Sequence, residues 1–431
     1  MSTIEKHDMT QGKILLPLVS FTIPLVLGNL FQLTYNAADS VIVGKYVGEQ
    51  ALAAVGTSTP IMNIAILLIS GMCMGASVLM SSQYGAKDYD TLSRQISTTM
   101  LAGCGFSVVF SLLMLLLANP VLRLIRVPET AIPEAAAYLR IIFMGLIFTF
   151  MYNFLANTMR ALGDSKTPLY FLVTSAFLNI FGDLFFVVVL RWGVAGSAIA
   201  TVCSEGLCCL LCGIYIKKKI PLLCLGKKWW VFDKSLLGKT VSYGSTSAMQ
   251  QVCLQLGKLI IQSVVNTQGV AVMAAFTAVN RVDDFAYTPQ QNIGHAMTTF
   301  LAQNKGAGHK ERMKKGFQTG LLIELVYSVG LFCVIWGLAP QIMTLFAEDG
   351  DAQVVSLGIS YLHLISWMYI LPGLTNGVQG FFRGIGDLKV TLYSTFMNMF
   401  GRVVAVFVMI RLLQMEFASL AWANMVGWIA V

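Results

Sequence analysis

The sequence predicts an all-α polytopic membrane protein, with twelve transmembrane helices forming two six-helix bundles related by a parallel pseudo-two-fold repeat. Three observations predict it. The 431 residues are 56% hydrophobic and only 12% charged, about half the charged fraction of a soluble domain, and the mean hydropathy is +0.71. Apolar runs of roughly 20 residues or more, the length that crosses about 30 Å of hydrocarbon, recur along the whole chain. Finally, Arg160-Ala-Leu-Gly163-Asp164-Ser-Lys166-Thr-Pro-Leu169-Tyr170 returns as Arg383-Gly-Ile-Gly386-Asp387-Leu-Lys389-Val-Thr-Leu392-Tyr393, an R-x-x-G-D-x-K-x-x-L-Y pattern at an offset of 223, and Gly85-Ala86 is echoed by Gly306-Ala307 at 221.

In chain order the apolar segments fall at 14–43, 50–82, 95–118, 134–157, 168–190, 194–216, 240–266, 269–302, 317–338, 352–381, 390–411 and 416–431. Residues 1–13 are polar and the first run is too long for the apolar core of a leader, so no cleavable signal is expected. Pro24, Pro60, Pro289 and Pro372 interrupt segments 1, 2, 8 and 10, where each removes a backbone bond and permits a kink. Segment 12, at 16 residues, is too short to span hydrocarbon, so that helix is expected to be truncated. Six spans per copy is an even number, so both copies share one orientation and an axis along the membrane normal relates them, with a central cavity expected where they face each other. The implied units are 1–216, a basic cytoplasmic linker at 217–239, and 240–431.

Basic residues set the orientation. With the N-terminus in the cytoplasm, 20 of the 29 Lys and Arg fall in inside segments and 5 in outside loops, and the acidic Glu348-Asp349-Gly350-Asp351 loop falls outside. The net charge of +8 is therefore topological, and nucleic acid is not an expected partner. Eight of the nine Cys lie within apolar runs and Cys224 in a loop. The CxxC spacing of Cys209-Leu-Leu-Cys212 is read as small packing residues.

Polar residues inside the spans carry the chemistry. Asn29, Gln32, Asn36 and Asp39 are spaced three, four and three apart, one polar stripe on the helix of segment 1. An ionised carboxylate in a membrane helix costs roughly 2.5–3.5 kcal/mol on insertion scales, so such a group faces a wet cavity or a partner and can load and release a proton. Ser175, Asn179 and Asp183 form a second acidic face in segment 5. Asn153 and Asn157 are four apart in segment 4, as are Thr201 and Glu205 in segment 6. If Asp39 and Asp183 face each other, one H⁺ or Na⁺ between them relieves their repulsion, and carboxylate and amide oxygens are ligands that hard cations prefer. Segment 7 carries Gln251, Gln255, Lys258 and Gln262, a stripe with a cation and no acid. Segment 8 adds Asn280, Arg281, Asp283 and Asp284, with one of the two acids the expected partner of Lys258. His295 and His363 are read as lone core residues, and Glu324 as either a member of a buried pair or a lipid-face exception. Gly-Asp in the doubled motif is expected to turn the chain and cap the next helix, with Arg160 and Arg383 pairing with acids or lipid head groups or serving an inner gate.

Several motifs at this spacing resemble the multidrug and toxic compound extrusion (MATE) family over essentially the whole chain. They are Asp39-Ser-Val-Ile-Val-Gly44 followed by Gly48 and Ala51-Leu-Ala-Ala54-Val-Gly56, then Gln83-Tyr-Gly85-Ala86, Gln303-Asn304-Lys-Gly306-Ala307 and the doubled R-x-x-G-D-x-K. The resemblance implies a V-shaped pair of bundles that exports organic cations in exchange for H⁺ or Na⁺. It implies a DinF-like coupling site in the first bundle, with Asp39, Asn153, Asn179, Asp183 and Thr201 at the matching positions. The NorM-like branch uses acids in segments 7 and 10. Here Gln251 stands where that Glu is expected, and 352–382 has no acid.

The expected function is a secondary active antiporter exporting cationic, amphipathic or aromatic compounds by rocker-switch alternating access. The expected substrate cavity is lined by Gln32, Tyr35, Asn36, Asn157, Glu205, Gln251, Gln255, Lys258, Asn280 and Arg281, with Tyr35 stacking on organic cations and Pro24 as a hinge that could feel the protonation of Asp39. No cofactor or resident metal is expected. The coupling ion is H⁺ ahead of Na⁺, the latter at Asp39/Asp183. The setting is a prokaryotic cell membrane, multi-pass, with the lipid bilayer and small organic cations as partners and a monomeric chain. The rival is a flippase for lipid or lipid-linked oligosaccharide, which would want a cationic cavity. No H-E-x-x-H or G-x-S-x-G motif points to an enzyme.

Overall fold

The computed structural model describes residues 8–125, 127–220, 230–346, 352–413, 417 and 419–431. The expected linker's residues 221–229, Cys224 among them, and the acidic stretch at 348–351 lie outside the described residues, as do Lys6 and Arg126.

Each expected segment coincides with a helix or a broken helix. These are α1 (Leu15–Tyr46), α2 (Glu49–Gly85), α3 (Tyr89–Leu124), α4 (Ile132–Met144) with α5 (Leu146–Ala161), α6 (Lys166–Asp183), α7 (Gly193–Lys219), α8 (Lys234–Val265), α9 (Val270–Gly306), α10 (Lys310–Phe346), α11 (Ala352–Ser366) with α12 (Ile370–Gly384), α13 (Leu388–Val406) and α14 (Ser419–Ile429). No strand occurs among the described residues. This is the all-α, twelve-span fold class that the sequence predicts. Eight spans among the described residues are long and apolar enough by themselves to cross a membrane, and α4 with α5, bent by 47°, makes a ninth. Missing from that group are α8 and α9, because they carry the Gln251–Lys258 stripe and the Asn280–Asp284 cluster, and α14, which is short.

Three of the prolines lie inside continuous helices, as α1, α2 and α9 run unbroken through Pro24, Pro60 and Pro289. The breaks lie elsewhere. Gly145 separates α4 from α5, where a Cβ would meet Val202 of α7 at 2.9 Å or less. Span 10 tightens to a 3₁₀ turn at Trp367–Tyr369, just before Pro372. The ends of α6 and α13 widen into π-helix at Leu184–Val189 and Phe407–Leu412, again 223 residues apart.

The repeat is therefore written into the backbone. Gly48 and Gly269, which precede α2 and α9, hold φ of 116° and 101°, and Gly163 and Gly386 of the doubled motif hold 90° and 85°. Residues with a side chain rarely adopt these left-handed values, so glycine is required there. The caps are less faithful. Asp88 accepts from Thr91 N, Asp164 from Lys166 N and Thr167 N, and Asp233 from Ser235 N and Leu236 N. Asp233 thereby starts α8 at Lys234, six residues before the expected 240. Asp387, the copy of Asp164, makes no side-chain cap, which corrects the expectation that both copies cap alike.

By contacts, the chain forms two compact units, 1–8 with 23–248 and 9–22 with 249–431. The first packs α2, α3, α4, α5 and α7 around Leu92, Leu139, Phe143, Phe150 and Phe154. Cys212 is fully buried there, as its packing role requires. The second packs α9–α14 around Tyr361, Leu362, Ile365, Met368 and Tyr369. Membrane helices approach closely where small residues let their backbones meet. In the second unit a Cβ on Gly380 of α12 would lie 2.6 Å from the Gly294 carbonyl of α9. Gly337 of α10, by contrast, has open space around its missing Cβ.

Gly380→Ala should therefore lower the thermal midpoint of the detergent-purified protein, at an overpacking cost of about 1–3 kcal/mol. Gly337→Ala should leave it unchanged or raise it by up to about 1 kcal/mol through helix propensity.

Candidate functional site

Within the first unit the acidic faces of α1, α6 and α7 converge. Ser197 Oγ donates to Asp39 Oδ1 at 2.6 Å, and the Asp39 and Asp183 carboxyls are themselves side-chain partners. Asp183 is fully buried at the end of α6, and neither of its oxygens receives a hydrogen bond from a protein donor. Asn179, one turn earlier, donates through Nδ2 to Thr201 Oγ1 at 3.2 Å, which leaves its buried Oδ1 without a donor. Glu205 accepts from Thr149 Oγ1. Tyr35 interacts electrostatically with Asp39 and Glu205, and Tyr138 with Asp39, Asp183, Tyr35 and Glu205. Tyr35 also bonds Gln32. Three acids, two phenols and two amides thus share one region.

The remaining first-unit candidates sit around it. Asn153 and Asn157, half-buried on α5, each turn Nδ2 back to the carbonyl one turn before, Thr149 O at 2.9 Å and Asn153 O at 2.8 Å. That leaves the carboxamide oxygen as the end available to a cation. Gln32 and Asn36 are exposed on α1. Three residues were missed by sequence, two of them with a readable signal. Ser197 stands four before Thr201 and Thr149 four before Asn153, so each extends a recognised stripe by one turn. Tyr138 had no such signal.

The second-unit candidates do not form a comparable cluster. Gln251 and Gln255 are half-buried on α8, Asn280 is half-buried on α9 and Arg281 is exposed. Lys258 Nζ pairs with Asp284 Oδ1 at 3.1 Å, both side chains about half exposed. Asp283 turns inward instead, accepting from the hydroxyls of Tyr369 and Tyr361, and Asn424 donates to Tyr361 Oη at 2.7 Å. Arg383 donates through Nε to the Gln379 carbonyl at 3.4 Å. It is buried with Nη1 at 3.3 Å from His295 Nδ1, which gives His295 a structural partner. His363 packs its ring on Trp336, 4.6 Å between centroids.

The MatE family model matches the chain twice, over residues 24–185 and 247–408, with starts 223 residues apart as in the doubled motif. The "Probable multidrug resistance protein YpnP" of Bacillus subtilis (strain 168) is 32% identical over 392 residues, 90% of this chain and 86% of that protein. The "Probable multidrug resistance protein YoeA" of the same organism is 29% identical over 389 residues, 88% of this chain and 82% of that one. A solved structure of a MOP superfamily transporter from Pyrococcus furiosus, described as having a binding pocket of reverse polarity that suggests a different function, superposes with a TM-score of 0.92. It covers 100% of this chain and 96% of that one at 22% identity, a likeness of fold.

Two substitutions test the acid cluster without transport. Ser197→Ala removes the donor to Asp39 and should cost about 1.5–3 kcal/mol if Asp39 is ionised. Asp183→Asn places an amide donor where two acceptors meet and should keep or raise the thermal midpoint at neutral pH.

Proposed function

The chain belongs to the MatE family, and on that premise we propose that it is a secondary active antiporter exporting cationic, aromatic small molecules in exchange for H⁺, with Na⁺ as the second candidate ion. The observation that carries this reading is the buried Asp183 carboxyl, a side-chain partner of Asp39, with no protein donor for either of its oxygens, and one turn before it the buried Asn179 Oδ1, likewise without one. Buried acceptors without donors cost several kcal/mol. A proton shared by the two carboxyls, or a cation bound by carboxylate and amide oxygens, removes that cost. Asp39, Asn153, Asn179, Asp183 and Thr201 are the residues proposed to hold the ion.

An organic cation would compete for the same negative charge, with the rings of Tyr35 and Tyr138 offering faces for cation–π contact. Binding of the ion releases the drug and departure of the ion admits the next, as the two repeats alternate access by rocking. One charge crossing 100 mV supplies about 2.3 kcal/mol, roughly a 50-fold concentration ratio. We place the protein in a prokaryotic cell membrane, N-terminus cytoplasmic, as a monomer.

The flippase alternative wants a cationic pocket for a pyrophosphate. Lys258 is already paired with Asp284, and the clustered side chains of the first unit are acids.

Ethidium efflux from proteoliposomes, with pH and Na⁺ gradients imposed separately, tests the proposal. A pH gradient should drive efflux that Asp39→Asn abolishes. Efflux indifferent to Asp39→Asn removes the acid pair from the mechanism. Movement of a labelled lipid with no movement of ethidium favours the flippase.

A further inference from the structure

The second unit buries an acid that the proposed exchange does not use. Glu324 lies near the middle of α10, fully buried, and neither carboxyl oxygen has a hydrogen-bond partner. It does not face lipid, because the exposed apolar stripe of α10 is Leu322, Leu325, Val326 and Val329. Nor is it a member of a buried pair, since among the described residues no basic group interacts with it.

Its surroundings converge on one point. A Cβ built on Gly373 of α12 would stand 2.9 Å from Ser328 Oγ, 3.2 Å from Gln290 Nε2 and 3.3 Å from Glu324 Oε2. These three groups close on residue 373 because it has no side chain. Gln290 Nε2 is already committed, donating to the Tyr369 carbonyl at 2.8 Å and to Ser328 Oγ at 3.1 Å. Ser328 Oγ is likewise committed, to the carbonyls of Glu324 at 2.7 Å and Tyr369 at 3.3 Å. What remains is three buried acceptor oxygens, Glu324 Oε1, Glu324 Oε2 and Gln290 Oε1, and no donor for them in the protein. An ionised carboxylate cannot be sustained in such a place. The donor that the pocket can make is an O–H on Glu324 itself.

The site also adjoins the break in span 10. The Tyr369 carbonyl that Gln290 and Ser328 hold belongs to the 3₁₀ break of span 10, followed by Pro372, which has no N–H to donate. The geometry points to a second proton-binding site, Glu324 with Gln290 and Ser328, closed over its proton by the break in span 10 and emptied when that break admits water. On release the carboxyl O–H bond breaks, the proton passes to an entering water, and the carboxylate remains hydrated until a proton returns. Of the elements packed against Glu324, α9 offers Gln290, the 3₁₀ turn offers Tyr369 with its hydroxyl turned to Asp283, and α12 offers Gly373 and Gly377. No charged side chain from these or from α11 interacts with Glu324 among the described residues. Tyr327, on α10 itself, does interact with it and donates its own hydroxyl to Ala286 O at 3.1 Å.

The use of this proton in transport rests on the antiport reading, but its existence does not, so the test is made without transport. Infrared difference spectra of the protein in lipid vesicles, stepped from acid to alkaline pH, should contain the carbonyl stretch of a protonated carboxylic acid that disappears reversibly as pH rises and is missing in Glu324→Gln. Gly373→Ala, which pushes a methyl against the same oxygens, should shift that band, and this variant serves if Glu324→Gln does not fold. Absence of any band assignable to Glu324 would overturn the site, as would a band that never yields to alkali. A band that titrates in a protein that moves no ethidium sinks the antiport reading and leaves the proton site standing. Efflux dependent on Asp39 with no Glu324 band does the reverse.

Discussion

Acceptor oxygens inside a hydrocarbon-embedded helix bundle must find donors within the protein, because lipid supplies none. Most of this chain meets that demand locally. Its backbone is helical throughout the spans, and its Ser, Thr and Asn side chains mostly bond carbonyls one turn back on their own helix, as Thr59, Thr158, Asn153 and Asn157 do. Asp88, Asp164 and Asp233 meet the first amides of helices near the ends of spans. Against that background Asp183, Asn179 Oδ1, Glu324 and Gln290 Oε1 are buried oxygens without a protein donor among the described residues, as are the amide oxygens of Gln83, Gln95, Gln250 and Asn304.

The duplication explains the scaffold better than the chemistry. Turns recur at matching positions, with left-handed glycines at 48 and 269 and at 163 and 386, and π-helical endings at 184–189 and 407–412. Outside the doubled Gly-Asp turn, the acids within the spans do not recur. At an offset of 223 Asp183 becomes Val406, and at 221 Asp39 becomes Ile260 and Glu324 looks back to Gly103. Backbone turns are constrained by sterics in both copies alike. A buried charge is expensive enough that each copy keeps it where its own chemistry needs it.

Close helix crossings share that logic of local economy. At Gly294 and Gly380 the backbones of α9 and α12 meet with no room for a methyl, and at Gly373 the same absence of a side chain lets Ser328, Gln290 and Glu324 close in. One residue type thus serves packing at one site and chemistry at another, and the neighbours decide which.

The sequence by itself determined the fold class, because 20-residue apolar runs and a doubled charged turn admit few architectures. It also determined the polar stripes, because helical periodicity places Ser175, Asn179 and Asp183, or Thr201 and Glu205, on one face whatever they pack against. The tertiary structure decided which faces meet. It gave Asp39 the hydroxyl of Ser197, sent Asp284 and not Asp283 to Lys258, buried Arg383 against His295, and put the breaks at Gly145 and Trp367–Tyr369 while α1, α2 and α9 ran on through their prolines. It also buried Glu324 with no hydrogen-bond donor for its carboxyl among the described residues. Periodicity along one helix is set by 3.6 residues per turn, whereas the rotation of one helix against the next is set by side-chain volumes far apart in sequence, and no local spacing records them.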